Sequence, residues 1–209
     1  MAILLSGRGS NFLALHRAIE ERGLPAQIAL VVSDRPAAGI THARDLGLPA
    51  AVIPRQGEPS RQAHERKVLE ALGAAGVEWV CLAGYMRLLS PSFVAKYPRR
   101  IVNIHPSLLP AFPGLEAQRQ ALDHGVKVAG CTVHLVDEVM DNGPVVVQRS
   151  VPVYDGDRPE DLAARILEQE HQAYPEALER LLSESWEVEG RRLIFGPSTG
   201  AGRKKQNKG

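Results

Sequence analysis

Three short stretches hold side chains whose types and spacing can do chemistry. In "NIHPSLLPAFPG", Asn103 to Gly114, Asn103 offers an amide donor suited to polarising a carbonyl oxygen. His105 lies two residues on, shares that side of an extended strand, and is of the residue type that titrates near neutrality. Three prolines and a glycine stiffen the loop behind them. A lone histidine also serves as a structural residue, and the residues alone leave that alternative standing. The second stretch, "SGRGSN" from Ser6 to Asn11, has glycines for a tight turn. At the start of a following helix its free N–H groups and the helix dipole suit an anion, and Ser10 and Asn11 add side-chain donors. The same residues also make a plain strand-to-helix turn with Ser10 as N-cap. No Walker lysine follows, and the third glycine of a dinucleotide fingerprint would fall on Phe12, so a monophosphate fits better than a pyrophosphate. The third stretch is the acidic loop of Asp137, Glu138 and Asp141, closed by Gly143 and Pro144. A carboxylate brought to His105 would orient it and favour its charged form, while the alternative is a solvated turn. His134, on an alternating run before this loop, is placed to face the same cleft. His16, His42, His64, His124 and His171 sit in helical or turn context and are expected at the surface. No helical His-x-x-x-His or Cys-x-x-Cys occurs, so no metal is expected.

These residues need elements to position them. Ala2–Leu5, Gln27–Ser33, Ala50–Ile53, Glu78–Ala83 and Arg100–Ile104 read as strands. Helical patterns lie between them, at about Asn11–Arg22, in a short segment ending near Gly47, at Arg61–Ala75 and near Pro91–Tyr97. This alternation predicts an α/β fold: a Rossmann-like open, mostly parallel twisted sheet with helices on both faces. The glycine loop then follows the first strand and Asn103–His105 closes the fifth, the usual place for a site in such sheets. Lys127–Val136 and Pro144–Val153 predict an antiparallel extension in the C-terminal half. Pro159–Leu182 reads as a long amphipathic helix and Trp186–Phe195 as a terminal hairpin. With no linker in sight, residues 1–195 are expected to form one domain, and residues 196–209 a disordered basic tail.

Composition narrows the class. Of 209 residues 44% are hydrophobic and 23% charged, an ordinary globular balance that argues against disorder or a fibre. Two cysteines are too few for a disulfide framework or a thiolate metal site. Gly7 and Arg8 follow the opening apolar run too soon for a secretory signal, and the longest charge-free apolar stretch, Trp79 to Met86, falls well short of the ~18 residues of a membrane span. A cytoplasmic protein without membrane partner is expected. The net charge of +1 includes four cations in the last seven residues, which leaves −3 on the rest and speaks against nucleic-acid binding by the body.

Taken in order, "SGRGSN", "AGYMRLLS" (Ala83 to Ser90), "NIHPSLLPAFPG", "TVHLVDEVMDNGP" (Thr132 to Pro144) and "ILEQEHQAYP" (Ile166 to Pro175) resemble the phosphoribosylglycinamide formyltransferases of purine synthesis. The resemblance covers residue 2 to about 195. It implies transfer of the formyl group of 10-formyltetrahydrofolate to the amine of glycinamide ribonucleotide, with Asn103, His105 and Asp141 as the catalytic trio. It implies that Gly7, Arg8, Gly9, Ser10 and Asn11 cradle the substrate phosphate and that Glu170 meets its ribose. Met86, Arg87, Leu88 and Leu89, with Asp137, Glu138, Val139, Met140 and Asp141, would form the folate pocket beside Asn103, and Arg61 would lie near the folate's distal end. It further implies a cis bond at Leu109–Pro110, no metal, and room for a homodimer. Arg8 stands where the family often has an uncharged residue, and Asn142 where a second glycine is common; asparagine tolerates the left-handed backbone such a turn needs. Formyltetrahydrofolate hydrolases resemble the same fold and share the trio, but carry an extra N-terminal domain. Methionyl-tRNA formyltransferases need a further C-terminal one. The hydrolase reaction is therefore the alternative expectation.

Overall fold

The computed structural model describes residues 1–196. Its elements run β1 (Ala2–Leu5), α1 (Ser10–Arg22), β2 (Leu30–Ser33), α2 (Ala38–Asp45), β3 (Ala50–Val52), α3 (Arg61–Ala74), β4 (Val80–Leu82), α4 (Pro91–Val94), β5 (Ile101–His105), α5 (Ala117–Asp123), β6 (Val128–Leu135), β7 (Val145–Pro152), α6 (Pro159–Ser183), β8 (Trp186–Glu189) and β9 (Arg192–Phe195). Nine strands form one sheet in the order β3-β2-β1-β4-β5-β6-β7-β9-β8. Strands β1 to β5 are mutually parallel, β6 runs antiparallel to β5, and β7 antiparallel to β6. The chain winds outward from β1 to β3 and then returns to place β4 on the other side of β1. That reversal opens a crevice at the carboxyl ends of β1 and β4.

Alternation within the strands sorts the core into two layers. Ile3 and Leu5 point to the side of α1, α2, α5 and α6, where Phe12, Leu15, Ile40, Ala121, Leu162 and Ile166 are buried with them. Ala2 and Leu4 point to the opposite side, against Val68 and Leu72 of α3 and Phe93 and Val94 of α4. The second layer stops at β5. Along β6, Ala129, Cys131, Val133 and Leu135 join the first layer, so the side chains between them, Thr132 and His134, face the other way. Among the described residues no helix covers that part of the sheet; the loops 106–116 and 136–144 do.

Several expectations shift. The segment 115–126 carries α5, absent from the sequence reading because only two small residues, Ala117 and Ala121, are buried and leave no apolar stripe to read. β2 is shorter than expected, beginning at Leu30. Helix α1 starts at Ser10 behind Gly9, which sits at φ 79° and leaves the helix without a side-chain cap, so Ser10 is the first helical residue and not the N-cap. The terminal hairpin extends the sheet through a parallel contact of Val145 with Arg192. Gly196, assigned to the tail in sequence, donates its N–H to Ser185 O and still belongs to the hairpin; the rest of the expected tail lies outside the described residues. His64 is buried, not superficial, with Nε2 2.8 Å from Ile53 O. Among the described residues no helix is long and apolar enough to cross a membrane, and no cluster of His, Cys, Asp and Glu could hold a metal ion.

Candidate active site

Strand β5 presents Asn103 and His105 on the sheet face that the helices leave open. Register places His134 of β6 opposite Asn103 and Thr132 opposite His105. His134 Nδ1 lies 3.0 Å from the carbonyl oxygen of Leu135, which can only accept, so that nitrogen carries the proton. The lone pair of Nε2 is then free to accept from Asn103 Nδ2 at 3.1 Å. Burial lowers the pKa of His134, against a backbone hydrogen bond and the charge of Asp141, which keeps this acceptor neutral near pH 7. One N–H of Asn103 is thereby anchored and the other is left for a ligand.

His105 is buried and held from both sides. Its Nε2 donates to Phe112 O at 2.9 Å, and its Nδ1 lies 3.5 Å from Asp141 Oδ2. The second separation exceeds a normal hydrogen bond but is too short to hold a water between the two atoms, so the carboxylate faces the imidazole directly. Asp141 reaches this position because the loop after β6 folds back over the open face. It adopts φ 51° there, accepts from the Gly114 N–H at 2.8 Å, and lies 3.9 Å from His134 Nε2. The loop's exit is fixed at Gly143, where an added Cβ would meet Leu135 O at 1.8 Å.

The loop behind His105 is pinned by residues that the sequence reading passed over. Thr132 Oγ1 donates to Ser107 O at 2.6 Å and accepts from Leu109 N at 3.0 Å, while Gln148 Nε2 donates to Leu109 O at 2.8 Å. Around these contacts the Leu109–Pro110 bond is cis, as the family resemblance implied. Register pairs Thr132 with both His105 and Gln148. The readable signal was two polar residues on the same face of neighbouring strands.

Beside the trio, Leu89 and Val136 both pack on the α3–α4 core layer. Met86, Leu88, Val139 and Met140 project from the same two loops and are half or more exposed. Glu138 is exposed, whereas Asp137 turns inward to accept from Val139 N and Asn142 Nδ2. Arg87 does not reach free into this cleft: its Nε donates to Asp34 Oδ2 at 2.7 Å and ties the 85–89 loop to the end of β2. Burial alone would raise the Asp34 carboxyl, but hydrogen bonds from Arg35, Ser6 and Arg87 outweigh it and bring it to about 2. Arg61 opens α3 and lies 3.9 Å from Glu65, which accepts from Ser90 N at the foot of that loop.

The glycine loop stands at the crevice. Gly9 approaches α2 so closely that a Cβ would meet Gly39 Cα at 2.8 Å, and Gly39 N donates to Gly7 O. Gly7 and Arg8 are exposed, and the uncapped first turn of α1 points its N–H groups at the opening. Asn11 is not a free donor: its Nδ2 donates to Glu170 Oε2 at 2.7 Å, and its Oδ1 is buried without a partner among the described residues. Burial raises the carboxyl of Glu170, a hydrogen bond from Asn11 acting against it.

A hydrogen-bond donor, a histidine and a carboxylate beside an apolar cleft, with an anion cradle on the next strands, suit acyl transfer to a phosphorylated acceptor. The family model described as formyl transferase matches residues 1–178. The chain belongs to the formyl transferase family. The chain is 42% identical to the phosphoribosylglycinamide formyltransferase of Bacillus subtilis, with 87% of this chain and 93% of that one covered. It is 46% identical to the trifunctional purine biosynthetic protein adenosine-3 of Drosophila pseudoobscura over 88% of its own length, but spans only 14% of that protein. Among solved structures, glycinamide ribonucleotide transformylase 1 of Symbiobacterium toebii superposes with a TM-score of 0.90 at 50% identity, covering 93% of this chain and 92% of that one. A formyltetrahydrofolate deformylase of Pseudomonas syringae shares the fold at a TM-score of 0.86 but only 26% identity, with 93% of this chain and 65% of that one covered.

Proposed function

We propose that this enzyme transfers the formyl group of 10-formyltetrahydrofolate to the amine of glycinamide ribonucleotide, in purine biosynthesis. The observation that carries the reading is the placement of Asn103, His105 and Asp141 over one open sheet face, in a chain so similar to formyltransferases along most of its length. In this reading the amine nitrogen attacks the formyl carbon, a C–N bond forms, and the carbonyl oxygen gathers negative charge. Asn103 donates its unanchored N–H to that oxygen, and His105 donates from Nδ1, since Nε2 is engaged by Phe112. Asp141 accepts the amine's proton through a water on its open side, and the proton passes to the folate nitrogen as the C–N10 bond breaks. The products are formylglycinamide ribonucleotide and tetrahydrofolate, and neither a covalent enzyme intermediate nor a metal enters the scheme.

The uncapped start of α1, with Gly7, Arg8, Gly9 and Ser10, takes the phosphate, and Glu170 takes the ribose; Asn11 acts by holding Glu170. Met86, Leu88, Leu89, Val139 and Met140 flank the folate, Arg87 and Asp137 shape its loops, and Glu138 and Arg61 lie further out. One catalytic unit over residues 1–195, a cytoplasmic setting and a homodimer belong to the same reading. Cys81 and Cys131 are free, and burial pushes both thiols up to about 12. A spectroscopic assay of folate product, with and without the amine substrate, tests the reaction. Amine-dependent turnover supports it. Binding of both ligands without transfer overturns it, and formate release at the same rate without the amine assigns the hydrolase reaction instead.

A further inference from the structure

The loop that delivers Asp141 has little of its own to hold it. Glu138, Val139 and Met140 are exposed, and Asp141 itself sits in the left-handed region that disfavours side chains. The residue after it is tied from outside the loop. Arg191 Nη1 donates to Asn142 Oδ1 at 2.5 Å, and Nη2 donates to Asn142 O at 2.9 Å. Asn142 Nδ2 donates in turn to Asp137 Oδ2 at 3.1 Å, and Asp137 Oδ1 accepts from Val139 N. One asparagine therefore joins both ends of the loop to a single guanidinium.

That guanidinium stands on a firm support. Arg191 occupies the turn of the β8–β9 hairpin, whose Trp186, Val188, Leu193 and Phe195 pack on the main core. The Trp186 ring meets Trp79 edge-on and its Nε1 donates to Leu181 O at 3.0 Å, while Arg180 stacks on Phe195. The hairpin joins the sheet at Val145, the residue immediately after the loop. A packed hairpin thus presents a forked donor to the residue adjoining the strained aspartate. A glycine at 142 would offer the fork only its carbonyl, so half of the contact depends on the asparagine.

We propose that Arg191 is a positioning residue which, through Asn142, holds Asp141 against His105 and Gly114 before any ligand binds. For its effect on turnover, this inference rests on the reading of Asp141 given above. Its structural half does not, because the Gly114 N–H has Asp141 Oδ2 as acceptor and reports the placement directly.

The test uses the full chain with Arg191→Ala, Arg191→Lys, Asn142→Gly and the Arg191→Ala/Asn142→Gly double variant. Amide hydrogen exchange at Gly114 is followed by NMR without ligands, and kcat and both KM values are measured. Arg191→Ala is expected to speed Gly114 exchange and to lower kcat, each about 3- to 10-fold, with an unchanged unfolding midpoint. The KM for the ribonucleotide should stay within about twofold, lysine should recover less than half of the loss, and the double variant should lose less than the product of the two single losses because both act along one path. Gly114 exchange at the wild-type rate in Arg191→Ala overturns the proposal. So does faster exchange with kcat unchanged in an active enzyme, or an equal rise in both KM values with a lowered midpoint. A wild-type chain that transfers no formyl group refutes the functional reading alone, and the exchange measurement then still decides whether the hairpin holds the loop.

Discussion

Replacing His134 by phenylalanine keeps a flat ring of similar size in the sheet and removes both of its hydrogen-bonding nitrogens. Asn103 Nδ2 then loses its acceptor, and the carboxamide can rotate between presenting its N–H or its oxygen to the formyl group. A hydrogen bond of this kind is worth about 1–2 kcal/mol in fixing the rotamer. At 1.4 kcal/mol per decade, kcat should fall about 5- to 30-fold. Neither substrate is held by His134 in the proposed scheme, so both KM values should stay within about threefold. His134→Gln restores an acceptor oxygen and should recover part of the loss. The stability profile supplies a second readout. Burial lowers the pKa of the native imidazole, so as pH falls below about 6.5 the unfolded chain binds a proton that the native site refuses. That contribution is present above this pH and lost below it, and it should be missing in His134→Phe. Steady-state kinetics on the two variants, with equilibrium unfolding followed from about pH 5 to about pH 8 so that the profile spans the transition from both sides, decides the matter. A well-folded His134→Phe enzyme with wild-type kcat would refute the view that this histidine orients Asn103.

His105→Ala and Asp141→Asn should each lower kcat by about 10²–10³ with little change in ligand affinity, measured by turnover and by calorimetric titration. Gly143→Ala drives a Cβ to 1.8 Å from Leu135 O, so the catalytic loop must move; kcat should drop at least tenfold, or about 1.4 kcal/mol, while a circular dichroism spectrum shows the sheet intact. Asp34 has a native pKa of about 2 against an ordinary 3.8, so its stabilisation is complete above the unfolded value and lost as pH falls from there towards 2. With both partner arginines half-exposed to solvent, that contribution is on the order of 1–2 kcal/mol, and Asp34→Asn should flatten the acid limb of the stability curve by that amount.

What could be read in advance follows the range of the forces involved. Alternation in β1 and the two-residue spacing of Asn103 and His105 are local, and each reports which face a side chain takes. The glycines at 9 and 143 announce turns, although the sequence pattern favours Ser10 as the cap and the close approach of Gly39 instead holds Gly9 there. Helix α5 escaped because its buried residues are two alanines. Arg87 looked available for a ligand because no periodicity relates it to Asp34, 53 residues away. Nothing local marks Arg191 either, since its partner Asn142 is 49 residues off.

The position of the site follows from where the sheet loses its cover. Parallel strands joined by helices must be clothed on both faces, which is why β1, β2 and β4 are apolar on both sides. Between β5 and the antiparallel β6 the chain runs through α5, which packs on the opposite layer, so among the described residues the face bearing Asn103, His105, Thr132 and His134 is covered by loops. Polar side chains on that face can stay buried only if each finds a partner, and His134, Phe112 O, Gly114 N–H and Gln148 supply them. The same requirement orients Asn103 and His105 before any ligand arrives. Removing one partner should therefore loosen a neighbour that does the chemistry, a dependence that paired substitutions at His134 and Asn103 would expose as a non-additive loss of kcat.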